Sequence, residues 1–508
     1  MNHLLLAPLL IPLAAGALLL IAERTSLRLR RSVSLIALAI LLDVSLQLVA
    51  LAGQGEIQVY LVGDWPAPFG IVLVLDRLAA LLVALTSVLA LATMAYALQG
   101  GDRDGPLFHA LFQFQLLGLN GAFLTGDLFN LFVFFEILLI ASYGLLLHGG
   151  GRQRTRAGLH YVVLNLIGSS LFLIAIGILY AVTGTLNMAD LGRVLATLDP
   201  ADAALAEAGA LLLLGVFALK AAVLPLHFWL PHAYGHAAAP VAALFAIMTK
   251  VGVYAIVRVF GLFGHGDGPL AGVAGPWLAG AALATMAAGT VGAMASRDLR
   301  QKVAYLVMVS VGTLLIAVGL DSTAGLTGAL FYLVHTTLVT GALFLLADLI
   351  AHGRPRAALI SSDDERPAGS GPLAVLFFIA AIAVVGMPPL SGLIGKLLIL
   401  DAARTTPWAP WIWTTVLLSG LLILVSMTRA GSDLFWRGGV SESCKAPAPR
   451  RLVPALLLLA ASPALVIFGG PMSEFARATA VQTRDTAGYI EAVLGEAPAS
   501  ARIPREVP

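Results

Sequence analysis

Val216-Phe-Ala-Leu-Lys220-Ala-Ala-Val-Leu-Pro225 sets a lysine inside an apolar run and follows it closely with a proline. The apolar stretch around it extends over residues 208–230, which meets the roughly 20 residues a helix needs to cross a bilayer. An ionisable side chain in such a span costs about 2.5–3.5 kcal/mol on insertion scales. A proline there removes a helical hydrogen bond and frees a carbonyl. Together they read as a transmembrane helix broken around a charge, the local architecture of ion paths in transporters.

The rest of the chain agrees. Its 508 residues are 59% hydrophobic and only 11% charged, against roughly a quarter charged in soluble domains. Mean hydropathy is +0.93. So few charges cannot cover the surface of a water-soluble protein of this size, so lipid is the solvent for most of it. The net charge of +2 gives no reason to expect nucleic acid. One cysteine, Cys444, excludes an internal disulfide and a cysteine-ligated iron–sulfur cluster.

Hydropathy predicts an all-α polytopic membrane protein of about fourteen spans. They are expected at residues 4–22, 33–52, 71–98, 107–125, 128–148, 157–183, 208–230, 239–262, 273–295, 302–320, 324–350, 373–400, 411–435 and 452–470. The first has the length of a signal peptide, but Pro8, Pro12 and the arginines after it favour a retained span. One set of alternate loops collects the cations: Arg24, Arg28, Arg30, Arg31, Arg103, Arg152, Arg154, Arg156, Arg297, Arg300, Lys302, Arg354, Arg356, Arg366, Arg429, Arg437, Lys445, Arg450 and Arg451. The opposite short loops offer little beyond Arg193 and Arg404. The positive-inside rule makes the first set cytoplasmic and puts both termini outside. Residues 471–508 read as a polar tail, partly helical at 485–494, whose Arg477, Arg484, Arg502 and Arg505 run mildly against that rule.

Four further ionisable positions and a second break complete the pattern. Glu136 lies mid-span in Phe132-Val-Phe-Phe-Glu-Ile-Leu-Leu-Ile, Lys250 in Ala246-Ile-Met-Thr-Lys-Val-Gly-Val-Tyr, His335 in Phe331-Tyr-Leu-Val-His-Thr-Thr, and Lys396 in Ser391-Gly-Leu-Ile-Gly-Lys-Leu-Leu. Lys396 follows Pro388, Pro389, Gly392 and Gly395, so the twelfth span is expected to be broken like the seventh. An ammonium taken out of water releases its proton more readily, and a nearby carboxylate opposes this. Varying the Glu136–Lys220 distance would therefore turn a lysine from acceptor into donor, and a histidine can pass protons between lysines. The competing reading is a static ion pair that fixes helix packing. It accounts for Glu136 with one lysine, but leaves the other two lysines without a neutralising partner.

Other polar residues rank lower. His227, His232 and His236 follow the Pro225 break and read as the lining of a cytoplasmic proton inlet; no carboxylate or thiol accompanies them as metal ligands would. Asp43, the Asp76/Arg77 pair, Asp348 and Asp401 read as interfacial or pairing groups, and Trp408, Trp411 and Trp413 as an aromatic belt. No Gly-rich phosphate loop or thiolate set is present, so neither an ATP-driven pump nor a cofactor-bearing redox enzyme is supported. Tyr161-Val-Val-Leu-Asn-Leu-Ile-Gly-Ser-Ser-Leu-Phe-Leu faintly echoes Tyr332-Leu-Val-His-Thr-Thr-Leu-Val-Thr-Gly-Ala-Leu-Phe-Leu with one residue of slip. These lie in the sixth and eleventh spans, an odd offset, as inverted repeats require.

The run Leu219-Lys220-Ala-Ala-Val-Leu-Pro225-Leu-His227-Phe-Trp229-Leu-Pro231-His-Ala233, with Pro240-Val-Ala-Ala-Leu and Lys250-Val-Gly-Val-Tyr254, resembles the proton-translocating antiporter-like family. That family joins the Mrp-type multisubunit cation/proton antiporters to the large membrane subunits of respiratory complex I. The resemblance implies two inverted five-helix repeats, at 107–262 and 273–435, after N-terminal helices within 1–106, with a loop and last helix at 436–470. It implies a proton relay through Glu136, Lys220, Lys250, His335 and Lys396, no cofactor, a bacterial inner membrane, and partner subunits exchanging H+ for Na+ or K+. A lysine at position 396 points to the antiporter branch. The runner-up is a proton-pumping, non-redox subunit of complex I or a membrane-bound hydrogenase. His232 stands where complex I relatives usually carry an acid.

Overall fold

The computed structural model describes residues 3–264, 268–352, 360, 366–368, 370–437, 440–445 and 447–495. Among them the apolar runs form long helices: α1 (Ala7–Ile21), α2 (Leu27–Ala52), α3 (Arg77–Ala97), α4 (Phe108–Leu124), α5 (Leu128–Leu147) and α6 (Arg152–Thr183). After the short α7 (Met188–Ala196) come α8 (Pro200–Lys220), α9 (Trp229–His236), α10 (Ala239–Phe245) and α11 (Met248–Ala255). A π-helical turn at Ile256–Phe260 runs into α12 (Gly261–Phe263), followed by α13 (Gly275–Ala295), α14 (Leu299–Gly319) and α15 (Thr323–Ala351). The last are α16 (Gly371–Val385), α17 (Ser391–Ala403), α18 (Ala409–Phe435), α19 (Val453–Ile467), α20 (Gly469–Arg484) and α21 (Thr486–Leu494). Several start on a side-chain cap that takes up orphan backbone N–H groups: Asp76, Asp127, Asn187, Asp298 and Ser322 each do so.

Eleven helices, or twelve with the bent α19/α20 pair, are long and apolar enough to cross a membrane among the described residues. The fold is therefore a polytopic membrane bundle, mostly helical. Of the other expected spans, α4 is a 17-residue helix that buries His109, Gln113, Gln115 and Asn120, while the short apolar α16 and, after it, α17 flank the predicted break. α15 is apolar on every side and is enclosed by the bundle, packing on α14, α17, α19 and α20. Peripheral helices such as α1, α6 and α18 keep wide apolar faces outward, as lipid requires.

Several expectations are corrected. Residues 72–75 are not the start of a helix: Val72–Leu75 is a fully buried strand, β2, paired antiparallel with β1 (Gln58–Leu61). Alternating β-branched Val in a short apolar run suits a buried strand, and hydropathy alone does not separate the two. The span expected from residue 157 begins at Arg152, since arginines in a first turn reach the interface while their backbone stays helical. Within the expected polar tail the helix at 485–494 is present as α21, with Tyr489 buried, and it is preceded by a helix the sequence reading lacked: α20, which turns 87° from α19 and packs on α15 and α3. Two short strands, β3 (Arg366–Ala368) and β4 (Val440–Lys445), pair in parallel. Arg354, Arg356, Arg502 and Arg505 lie outside the described residues.

Candidate proton path

Lys220 is the last residue of α8 and is almost fully buried, at 5% exposure. The backbone then leaves the helix until α9, with Ala222 at positive φ. Breaking a helix orphans carbonyls. The Leu219 carbonyl, which already takes the Ala222 N–H, also accepts from the indole Nε1 of Trp229 at 3.0 Å, and the Leu224 N–H within the break donates to Thr285 Oγ1 at 2.9 Å. The break is thus tied on one side to α9 and on the other to α13 by these two bonds.

The Lys220 ammonium points at α6. It lies 3.3 Å from Ser169 Oγ and 3.4 Å from both the carbonyl oxygen and Oδ1 of Asn165. Ser169 Oγ in turn donates to Glu136 Oε1. Glu136 and Lys220 are therefore joined through one hydroxyl rather than in direct contact. Glu136 is also less enclosed than its apolar context suggests, being only half-buried in the middle of α5. The Asn165 and Ser169 carriers sit in the very segment that echoes the eleventh span.

Lys250, on α11, is fully buried, and its Nζ donates to Ser310 Oγ of α14 at 3.2 Å. Just before it the helix tightens: the N–H groups of Ala246, Ile247 and Lys250 bond three residues back, with lengths of 2.9–3.3 Å. His335 is enclosed on α15, with Nδ1 2.7 Å from Ser391 Oγ and Nε2 3.1 Å from the Ala383 carbonyl. Those partners lie on the two sides of the second break, between α16 and α17. Lys396 of α17 reaches back across that break to the Val385 carbonyl. The break itself, residues 386–390, turns on Gly386 at φ +82 and carries Pro388 and Pro389.

The three histidines after Pro225 do not converge. His232 and His236 stack with ring centroids 6.5 Å apart, near His160, while His227 lies against Phe228. Burial, then the neighbouring His236, His160 and Arg156, push the His232 imidazole down. Among the described residues no group of three or more His, Cys, Asp or Glu could hold a metal ion.

Lys302, which the sequence groups with the loop cations, is instead buried in α14, where its Nζ donates to Ser426 Oγ at 2.7 Å and to the Ala293 carbonyl at 2.5 Å. Asp76 is a pairing group: it holds the guanidinium of Arg258 at 2.6 Å. Arg258 lies mid-run in Ala255-Ile-Val-Arg-Val-Phe260 and satisfies the same criterion as the lysines, an ionisable group inside an apolar span. Asp348 accepts from Tyr96 at 2.7 Å and pairs with Arg300. Asp43 is exposed on α2, held by Gln47 at 2.7 Å.

Residues 125–423, which contain every ionisable group of this path, match the family described as NADH:quinone oxidoreductase/Mrp antiporter, TM. This chain belongs to that family. Its similarity to family members runs nearly end to end. It is 43% identical to the probable K(+)/H(+) antiporter D subunit of Rhizobium meliloti (strain 1021), over 94% of this chain and 95% of that protein. It is 38% identical to the Na(+)/H(+) antiporter D subunit of Bacillus subtilis (strain 168), over 98% and 100%. A chain in the structure of the Mrp complex from Dietzia sp. DQ12-45-1b superposes with a TM-score of 0.88 at 28% identity, covering 97% of this chain and 100% of that one.

Proposed function

We propose that this chain is the D-type, proton-translocating subunit of a multisubunit monovalent cation/proton antiporter, and that it is not itself an enzyme. The observation that carries the reading is the hydroxyl bridge at the first break, where Ser169 links the Glu136 carboxylate to the Lys220 ammonium. A small movement at that hydroxyl changes how strongly the carboxylate stabilises the ammonium, which is what a proton donor and acceptor in turn requires. Similarity to D-type relatives over almost the whole chain supports the assignment within the family, as do Lys396 and the Thr249-Lys250-Val-Gly-Val-Tyr motif.

In this reading the fold has about fourteen spans, with 107–262 and 273–435 forming inverted five-helix repeats. Lys220 beside α6 and His335 with Lys396 beside the second break are the two matching centres. Protons enter near Pro225–His236 and pass Lys220 and Lys250. They then go by His335 to Lys396 and out. Both termini face outside, the cation-rich loops face the cytoplasm of a bacterial inner membrane, and Glu136, half-buried at the bundle edge, faces a partner subunit. The exchanged cation is Na+ or K+, carried here or by a partner.

The test is antiport in everted vesicles carrying the intact complex, with the wild-type or Lys220→Ala chain, followed with a proton-sensitive dye on adding sodium or potassium. Assembly is checked in parallel. An assembled variant without cation-dependent proton movement supports the reading, and full activity in that variant overturns it. A wild type that ignores cations but pumps when given a reductant is a redox-complex component instead.

A further inference from the structure

Lys250, Tyr254 and Arg258 follow one another at four-residue spacing on the helix that ends at Phe263, so they share one face and climb about 12 Å from the central lysine. Taken alone, that ladder is a direct way out of the membrane from Lys250. It ends in a plug. The Arg258 guanidinium is buried, bonds Asp76 at 2.6 Å, and approaches the Tyr254 hydroxyl at 3.4 Å. Its carbon also sits 5.5 Å from the Tyr254 ring centre and 5.2 Å from that of Tyr489, so aromatic rings cover it from two sides.

Each part of the plug comes from a different element. Arg258 is set by the π-helical turn at Ile256–Phe260, a rare geometry frequent at functional positions. Asp76 follows β2 and caps α3, Tyr489 comes from α21, and the Tyr254 hydroxyl is tied to the Phe123 carbonyl of α4 at 2.8 Å.

We propose that Arg258 is the outer seal of the Lys250 station. Arginine keeps its proton in proteins, so it cannot relay one. Paired with Asp76 and covered by two aromatic rings, it fills the passage with a group that can neither accept nor hand on a proton. The seal blocks the short route outward and commits the proton at Lys250 to the second half of the chain. This proposal rests on the reading of Lys250 as a proton station.

The experiment uses the whole complex in proteoliposomes, in choline thiocyanate without alkali cation, so that antiport is silent and thiocyanate balances charge. An imposed pH gradient is followed with an internal dye. Arg258→Gln is expected to raise passive proton flux several-fold, Arg258→Lys to stay near wild type, and Arg258→Gln with Lys250→Ala to return to the wild-type rate. An assembled Arg258→Gln complex as tight as wild type overturns the proposal, and so does a leak that survives Lys250→Ala. If Arg258→Gln does not assemble, Tyr489→Ala is read in its place, with a raised flux expected and an unchanged one overturning the seal. Loss of the Lys250 reading shows separately, as cation-driven antiport that persists in an assembled Lys250→Ala complex.

Discussion

The ammonium of Lys396 donates to the carbonyl oxygen of Val385 at 2.6 Å, and Val385 is the last residue of the half-helix before the break. The C-terminus of a helix carries a partial negative charge on its unsatisfied carbonyls. Lys220 occupies the comparable place at the first break, as the terminal residue of α8. The second break therefore seats the Lys396 ammonium on a half-helix C-terminus, whereas the Lys220 ammonium takes its oxygens from Asn165 and Ser169 of α6, and neither has a carboxylate in contact.

Lys396→Met removes the cation and leaves the Val385 carbonyl buried without its donor. The variant is expected to lose cation-driven proton movement while losing about 1–3 kcal/mol of stability. Dye quenching in everted vesicles reads the first, and thermal unfolding of the detergent-solubilised complex reads the second. Antiport at the wild-type rate would remove Lys396 from the path.

Ser169→Ala keeps both charges and deletes only the hydroxyl between them. If coupling of Glu136 to Lys220 runs through that atom, antiport falls to a rate between those of wild type and Lys220→Ala, and its pH profile shifts. Ser169→Thr retains the hydroxyl and should restore both. A Ser169→Ala profile superimposable on wild type would show that the bridge is structural only.

These residues mark how much the sequence discloses. Lys220, Lys250 and Lys396 announce themselves because a charge in an apolar run has few explanations. Both breaks are legible from Pro225 and from Pro388-Pro389. Ser169, Asn165, Ser310 and Ser391 are not, because hydroxyls and amides are common in membrane helices and only the packing of α6, α14 and α17 selects which of them meet a lysine or histidine. The strand at Val72–Leu75 and the docked α20 and α21 depend on tertiary contacts that no local hydropathy encodes.

Asp127 gives a pH dependence of known sign. It caps α5 through the Asn130 N–H at 2.7 Å, just before the span, and burial pushes its carboxyl up to about 6 against the lowering effect of its backbone bonds. The folded state therefore holds the proton more tightly than the unfolded chain, so stability falls as pH rises from about 4 to about 6 and stays reduced above that. The ionised group costs about 2–3 kcal/mol at neutral pH by this shift. Asn caps as well as Asp, so Asp127→Asn is expected to raise the unfolding temperature at pH 8 and to flatten its change between pH 4 and 6. An unchanged slope would assign that pH dependence to other groups.

Gly392 tests the geometry of the second break without touching a charge. A Cβ built there would run into the Ala383 carbonyl oxygen and lie 2.8 Å from His335 Nε2. Both are too close, and the first is backbone, so α17 must move away from α16 and α15 in Gly392→Ala. The His335 contacts to Ala383 and Ser391 and the Lys396 bond to Val385 all cross this gap, and they loosen together. Antiport is expected to fall by at least about tenfold, which takes only about 1.4 kcal/mol at the limiting step, with every ionisable residue of the path still present. Gly395 is the control on the same helix: a Cβ there meets Tyr332 at 3.0 Å, one turn farther along α17 from the break, and touches neither Ala383 nor His335. Gly395→Ala is therefore expected to cost stability without a comparable loss of transport per assembled complex. Equal losses in the two variants would mean that α17 packing in general, rather than the His335–Lys396 contacts at the break, sets the rate.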